Sequence, residues 1–232
     1  MFNKFFLLFF FTIILFYSKK TSATHGAGLD ISYECLNRGF TSDSYKITVK
    51  FYRDCGAQST ASNNFFLEVN SSCGSSQSLL PQVSGPTFIT PLCPGSSTPC
   101  GNNNGLVELE EYVYEAVISL DHCSDWVINV CAGGNRNNAI TTISNPANQD
   151  LCVEAEINNL NECNNSPSFS EYPAPYICIG QTYCYNNGAV DTDGDSLMYS
   201  LATPLNGWGG VTYIPGYSPS NPILGSTTFD EF

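Results

Sequence analysis

Eleven cysteines constrain this chain more than any other feature, because all of them follow an N-terminal segment that is typical of a secretory signal peptide. In residues 1–23, Lys4 precedes a largely apolar run from Phe5 to Tyr17, and small residues precede a predicted cleavage site after Ala23. The run is shorter than the ~20 residues that a membrane-spanning helix needs, and no later stretch is apolar enough. We therefore expect a protein that is secreted or displayed at the cell surface, with no membrane-spanning segment after cleavage.

In an oxidising compartment, this cysteine density predicts structural disulfide bonds. The sequence contains no C-x-x-C pair and only two histidines, which disfavours a zinc or redox site. Local pairs such as Cys178 with Cys184, or Cys123 with Cys131, would join neighbouring strands, although sequence alone leaves the connectivity open. The odd count predicts that one partner lies in a part of the protein beyond Phe232.

The charge of the chain argues against a nucleic-acid partner. Signal cleavage would remove three lysines and no acid, so the net charge of −13 would become −16. The few remaining basic residues cannot form a surface that follows a phosphate backbone. The expected partner is instead an extracellular protein or a glycan.

Alternation of apolar and polar residues indicates an all-β fold. Tyr45, Ile47, Val49 and Phe51 share one face of a predicted strand, and the same period of two occurs in 111–120 and 126–130. Further strands are predicted at 29–34, 65–70, 139–143, 151–157, 176–185 and 197–201. The clusters of Gly, Ser, Asn and Pro at 71–78, 94–105 and 133–138 are expected to be loops. Short strands between such loops predict a disulfide-stapled β-sandwich.

The domain prediction has three parts. Residues 1–23 are the signal peptide, residues 24–163 form one β-sandwich surface domain, and residues 164–232 begin a second module that is truncated. The stretch 158–167 is interpreted as the linker, because it is rich in Asn and ends in Pro167.

An acidic hairpin is the strongest candidate site. Asp191, Asp193 and Asp195 alternate around Gly194, and one interpretation is a plain turn, because Asp-Gly is a favoured hairpin dipeptide. The other is a Ca²⁺ site, because closely spaced carboxylates suit a hard cation. An EF-hand is excluded, since the glycine comes two positions early and Ala202 occupies the place of the bidentate Glu.

The run N-x-x-P-x-F at 164–169, then Gly180, then A-x-D-x-D-G-D-x-L-x-Y-S-L at 189–201 resembles the start of a cadherin-like or dystroglycan-type Ig-like module. The resemblance implies a seven-stranded sandwich with cation sites at module junctions. It assigns Asp191, Asp193 and Asp195 as loop ligands of Ca²⁺ and Asn165 as a contributor from the linker. The acidic linker of cadherins is replaced here by Asn164-Asn165-Ser166, and Glu154 and Glu156 are added as candidates on charge and position.

A second resemblance covers most of the mature chain. The segments 24–33 and 45–55, the latter ending in Tyr52-Arg53-Asp54-Cys55, are similar to the N-terminal region of large Bacteroidota surface proteins. Those proteins carry PKD-type repeats and gliding-motility-associated sorting domains. The resemblance implies type IX secretion and display at the cell surface.

We expect no enzymatic activity. His122 is followed by Cys123, Ser124 and Asp125, but sequence neighbours on a strand point to opposite faces and do not make a catalytic triad.

The predicted function is a structural or adhesion protein of the cell surface, stiffened by Ca²⁺. The alternatives are a non-catalytic part of a larger secreted hydrolase, or a carbohydrate-binding module that uses exposed aromatic residues as a stacking surface. The candidate aromatic residues are Tyr172, Tyr176, Tyr183, Tyr185, Trp208, Tyr213 and Tyr217.

Overall fold

A computed structural model describes residues 26–56, 60–90, 100, 108–132, 136–174, 184, 186 and 188–222. The predicted signal peptide lies outside these residues, as do Cys178 and most of the predicted strand 176–185. Within the described ranges, no helix has the length and apolar character needed to cross a membrane.

The protein is all-β, as the alternation predicts. Its elements are β1 (Gly26–Arg38), β2 (Ser42–Asp54), β3 (Asn64–Ser71), β4 (Gly74–Phe88), β5 (Leu109–Asp121), β6 (Trp126–Cys131), a 3-10 turn (Pro146–Asn148), β7 (Cys152–Ile157), β8 (Ser168–Phe169), β9 (Ala189–Val190), β10 (Leu205–Asn206) and β11 (Gly209–Gly210). The named strands pair antiparallel throughout.

Nine of the strands form one curled sheet in the order β1-β2-β5-β4-β3-β6-β7-β10-β11, and β8 pairs with β9 separately. The curl depends on β4, which pairs with β3 over 74–81 and with β5 over 82–88. Two register shifts interrupt the second pairing, and such bulges bend a strand. The two halves of the sheet therefore face each other as a sandwich, with β1 beside β7.

The core lies between the two halves. Tyr45, Ile47 and Val49 of β2 are fully buried, as the alternation predicts. The ring of Phe65 on β3 lies 5.6 Å from the ring of Phe51 and 4.3 Å from that of Tyr114 on β5. These aromatic contacts join the facing halves in one apolar cluster.

The described residues contain four disulfide bonds, which do not include the predicted Cys123–Cys131 pair, and the predicted Cys178–Cys184 pair involves a residue outside the described ranges. The bonds are Cys35–Cys163, Cys55–Cys100, Cys73–Cys123 and Cys131–Cys152. The predicted Cys123–Cys131 bond is wrong, because Cys123 precedes β6, where it meets the β3–β4 turn, whereas Cys131 pairs with β7. Cys184 has no disulfide partner among the described residues.

Three secondary-structure predictions are also wrong. Residues 139–143 and 197–201 form no strand, although Ile143 makes an isolated bridge to Tyr213. The predicted loop 71–78 is the turn and first part of the β3–β4 hairpin. Its serines and glutamine lie on an exposed strand, where burial does not select apolar residues.

Beyond residue 163, the described chain contains only two-residue strands. Of these, β10 and β11 extend the large sheet, because Leu205 pairs with Cys152 of β7. The Ig-like character of this segment remains a prediction.

Candidate functional site

The predicted linker lies along β1, which is an edge strand of the large sheet. Cys163 is bonded to Cys35, and Ser166 donates its backbone N–H to the Tyr33 carbonyl over 2.9 Å. In return, the Tyr33 N–H donates to Ser166 Oγ (2.8 Å) and the Cys35 N–H to Asn165 Oδ1 (2.7 Å). The segment thus satisfies backbone groups that an open sheet edge would leave unpaired.

The acidic loop 191–195 is folded around one of its own carboxylates. Asp191 Oδ1 accepts the N–H groups of Asp193 (2.8 Å) and Asp195 (3.1 Å). Gly194 has a φ of +84°, a conformation that favours glycine. The local geometry therefore agrees with the turn interpretation, and it directs the Asp193 and Asp195 carboxylates outward.

These two carboxylates contact the linker segment. Asp193 accepts the Asn165 N–H at 2.8 Å and the Asn165 side-chain amide at 2.9 and 3.2 Å. Asp195 Oδ2 accepts from Asn164 Nδ2 at 3.2 Å. We name residues 163–166 and 191–195 together the acidic junction. The structure thus brings Asn165 and Asp193 together, 28 residues apart in sequence.

The negative charge of the junction acts on β1. Burial raises the pKa of the Tyr33 hydroxyl, and the charges of Asp191, Asp193 and Asp195 raise it further. This hydroxyl donates to the Glu156 carbonyl on β7 over 3.1 Å. The acidic loop, β1 and β7 therefore meet at one place in the fold.

The junction supplies oxygen atoms for a cation, but they are not gathered around one point. Among the described residues, Asp191, Asp193 and Asp195 do not place one oxygen each within 4.8 Å of one another. Asn165 directs its oxygen at the Cys35 N–H and its NH₂ at Asp193, so a cation would compete with that NH₂ for the carboxylate. Binding of Ca²⁺ by the four predicted ligands stays a prediction.

Other acidic groups offer no better set of ligands in the described part of the chain. Glu154 and Glu156 are exposed on β7. Two closer groupings, Cys55/Cys100/Glu108 and Cys73/Cys123/Asp125, contain cysteines that are already joined as disulfides. Their sulfur atoms are not free thiolates, which are the form that binds metals.

His122 makes a structural contact with a buried carboxylate. Its Nε2 lies 3.1 Å from Oδ1 of Asp43, which is fully buried and also 3.6 Å from the Arg38 guanidinium. Cys123 beside it is bonded to Cys73. His25, the other histidine, lies outside the described residues.

A second concave surface lies on the outer side of β3 and was not found from sequence. Its cavity has a volume of about 770 Å³, and its lining includes Phe66, Glu68, Gln77, Asn129 and Trp208. We name it the Trp208 groove. Of the aromatic residues proposed from sequence, only Trp208 lines it, whereas Tyr172, Tyr213 and Tyr217 do not and Tyr176, Tyr183 and Tyr185 lie outside the described residues.

Comparison with known proteins identifies no relative. No protein-family model matches the chain, and neither a curated protein nor a solved structure matches it significantly. Its function therefore has to be inferred from its own residues and geometry.

Proposed function

We propose that this chain is a non-enzymatic structural or adhesion protein that acts outside the cell. We also propose that the acidic junction holds the chain after residue 163 against the large sheet. The observation that carries the proposal is the junction itself. One disulfide, three hydrogen bonds to β1 and the contacts of Asp193 with Asn165 hold the same four-residue segment. A segment that is held from both sides restricts how the parts of the chain before and after it can move relative to each other.

Location outside the cell is supported by four disulfide bonds, which persist in oxidising compartments. It is supported further by the predicted signal peptide and by the resemblance to Bacteroidota surface proteins. Attachment at the surface through a type IX pathway belongs to the same proposal.

Ca²⁺ is proposed to stiffen the junction. Asp193 and Asp195 are exposed, and the partners that the described residues give their carboxylates are the uncharged amides of Asn165 and Asn164, which leave the negative charges in place. A divalent cation would cancel the repulsion among three neighbouring carboxylates and would bind only the folded arrangement, so it would stabilise the fold. The carboxylates would serve as ligands, and carbonyl groups or water would complete the coordination.

Thermal unfolding tests the Ca²⁺ proposal. For an extracellular site with a Kd near 10⁻⁴–10⁻³ M, 10 mM Ca²⁺ should raise the Tm by about 5 °C relative to chelator. The Asp193→Asn/Asp195→Asn variant should lose this increase. Differential scanning calorimetry of the oxidised chain measures both values.

A matched control removes the same charge elsewhere. Asp121→Asn/Glu171→Gln changes two exposed acids outside the junction, and this variant should keep the Ca²⁺ response. Equal concentrations of Mg²⁺ account for ionic strength. A Tm that does not respond to Ca²⁺, or that responds equally in both variants, would remove Ca²⁺ from the proposal and leave the hydrogen-bonded junction alone.

A further inference from the structure

The Trp208 groove contains an exposed aromatic ring that is held in a fixed orientation. Trp208 lies at the tip of the β10–β11 hairpin, where Gly207 has a φ of +62°. The residue is 49% exposed, and its indole Nε1–H donates to Glu68 Oε2 on β3 over 3.0 Å. The ring therefore presents an apolar surface to solvent without free rotation.

The Glu68 carboxylate that holds the indole is itself held by a hydrogen bond. The second oxygen of Glu68 accepts from Gln77 Nε2 at 3.4 Å, so the carboxylate is oriented by two neighbours. Each carboxylate oxygen has a further lone pair that can accept a hydrogen bond. Phe66, 57% exposed, adds a second apolar surface beside Glu68 on the same strand.

Asn129 is an independent observation that points to a ligand. Its side chain lines the groove although the residue is only 2% exposed, and its Nδ2 donates to the Gly207 carbonyl at 3.3 Å. Its Oδ1 lies 3.2 Å from Cys131 Sγ, which is joined to Cys152 and carries no proton to donate. Among the described residues, this buried oxygen has no hydrogen-bond donor, a state that costs free energy and is rare in folded proteins.

From these contacts, we propose that the Trp208 groove binds a neutral carbohydrate. A sugar ring has an apolar C–H face that stacks on Trp208, and hydroxyl groups at its edge that donate to Glu68 and to Asn129 Oδ1. The cavity volume lies within the ~300–1,000 Å³ that is usual for small-molecule sites. Glu68 and Asp150 line the groove and no described basic residue does, so an anionic ligand is disfavoured.

A peptide strand fits this surface less well. Addition of a strand needs a free sheet edge, and β3 is paired on both sides, with β4 and with β6. The backbone groups of β3 are therefore already used, and recognition has to come from side chains. Side-chain recognition by an aromatic ring and polar edges is what a carbohydrate requires.

The test is affinity electrophoresis and intrinsic fluorescence with soluble neutral polysaccharides, namely mixed-linkage β-glucan, xylan, galactomannan and starch. The oxidised full chain should be retarded by at least one of them. Trp126 is buried, so a change in tryptophan emission during titration reports on Trp208. Trp208→Ala should weaken the binding about tenfold or more.

Two further variants separate binding from folding. Phe66→Ala alters an exposed side chain in the groove and should weaken binding severalfold with an unchanged circular dichroism spectrum. Phe40→Ala removes a ring that is 99% exposed outside the groove and should bind as the parent does.

Absence of retardation by all four polysaccharides, or equal binding by parent and Trp208→Ala, overturns the proposal. Either result is independent of the Ca²⁺ test, because no residue of the acidic junction lines the groove.

Discussion

Replacing Cys35 and Cys163 together by alanine should lower the free energy of unfolding by about 4 kcal/mol. This disulfide closes a sequence separation of 128 residues, and the loss of conformational entropy in the unfolded chain grows with loop length. The other three bonds lie inside this loop and shorten it in the unfolded state, which keeps the estimate below the ~5 kcal/mol of an uninterrupted loop. For a chain of this size, the loss corresponds to a Tm decrease of about 8–16 °C.

Urea denaturation under non-reducing conditions measures this effect, and Cys131→Ala/Cys152→Ala is the matched control. That pair spans 21 residues, so its removal should cost about 3 kcal/mol. Hydrogen exchange adds a local measurement, because the Tyr33 and residue 35 amides, bonded to Ser166 and Asn165, should lose protection only in the first variant. If the first variant is as stable as the parent, Cys163 does not hold the linker segment on β1.

The part of the fold that could be predicted from sequence is the part where one face of a strand is buried. In β2, Tyr45, Ile47 and Val49 alternate with Lys46 and Thr48, and burial follows that period. β4 could not be predicted, because its first half is exposed apart from Ser78 and Leu80 and is held by backbone pairing with β3. Residues 197–201 show the reverse case, since their sequence has the apolar alternation of a strand but they pair with no strand in the described structure.

The candidate site was predictable to a similar extent. The turn chemistry of Asp193-Gly194 and the nearness of Asn165 followed from local sequence and from the resemblance to cadherin-like modules. The orientation of the Asn165 amide could not be predicted from sequence, because it is set by the Cys35 N–H on an edge strand 130 residues away. Glu68 and Trp208 lie 140 residues apart, and only the register of β3, β6 and β7 with the β10–β11 hairpin brings them together.

Truncation of Phe65 should reduce stability strongly, whereas truncation of its neighbour Phe66 should not. Phe65 is 6% exposed and its ring packs against Phe51 and Tyr114, so Phe65→Ala removes buried surface and leaves a cavity between the two halves of the sheet. We expect a loss of about 3–5 kcal/mol. Phe66 is 57% exposed, and Phe66→Ala should change stability by no more than about 0.5 kcal/mol.

Urea denaturation of the two variants also tests the register of β3, on which the Trp208 groove depends. A shift by one residue would exchange the two faces of the strand, bringing Phe66 and Glu68 into the core and exposing Phe65 and Leu67. The two alanine variants would then reverse their order of stability, and Glu68 could not reach Trp208. The expected order therefore supports both the core and the outward position of the Glu68 carboxylate that orients the indole ring.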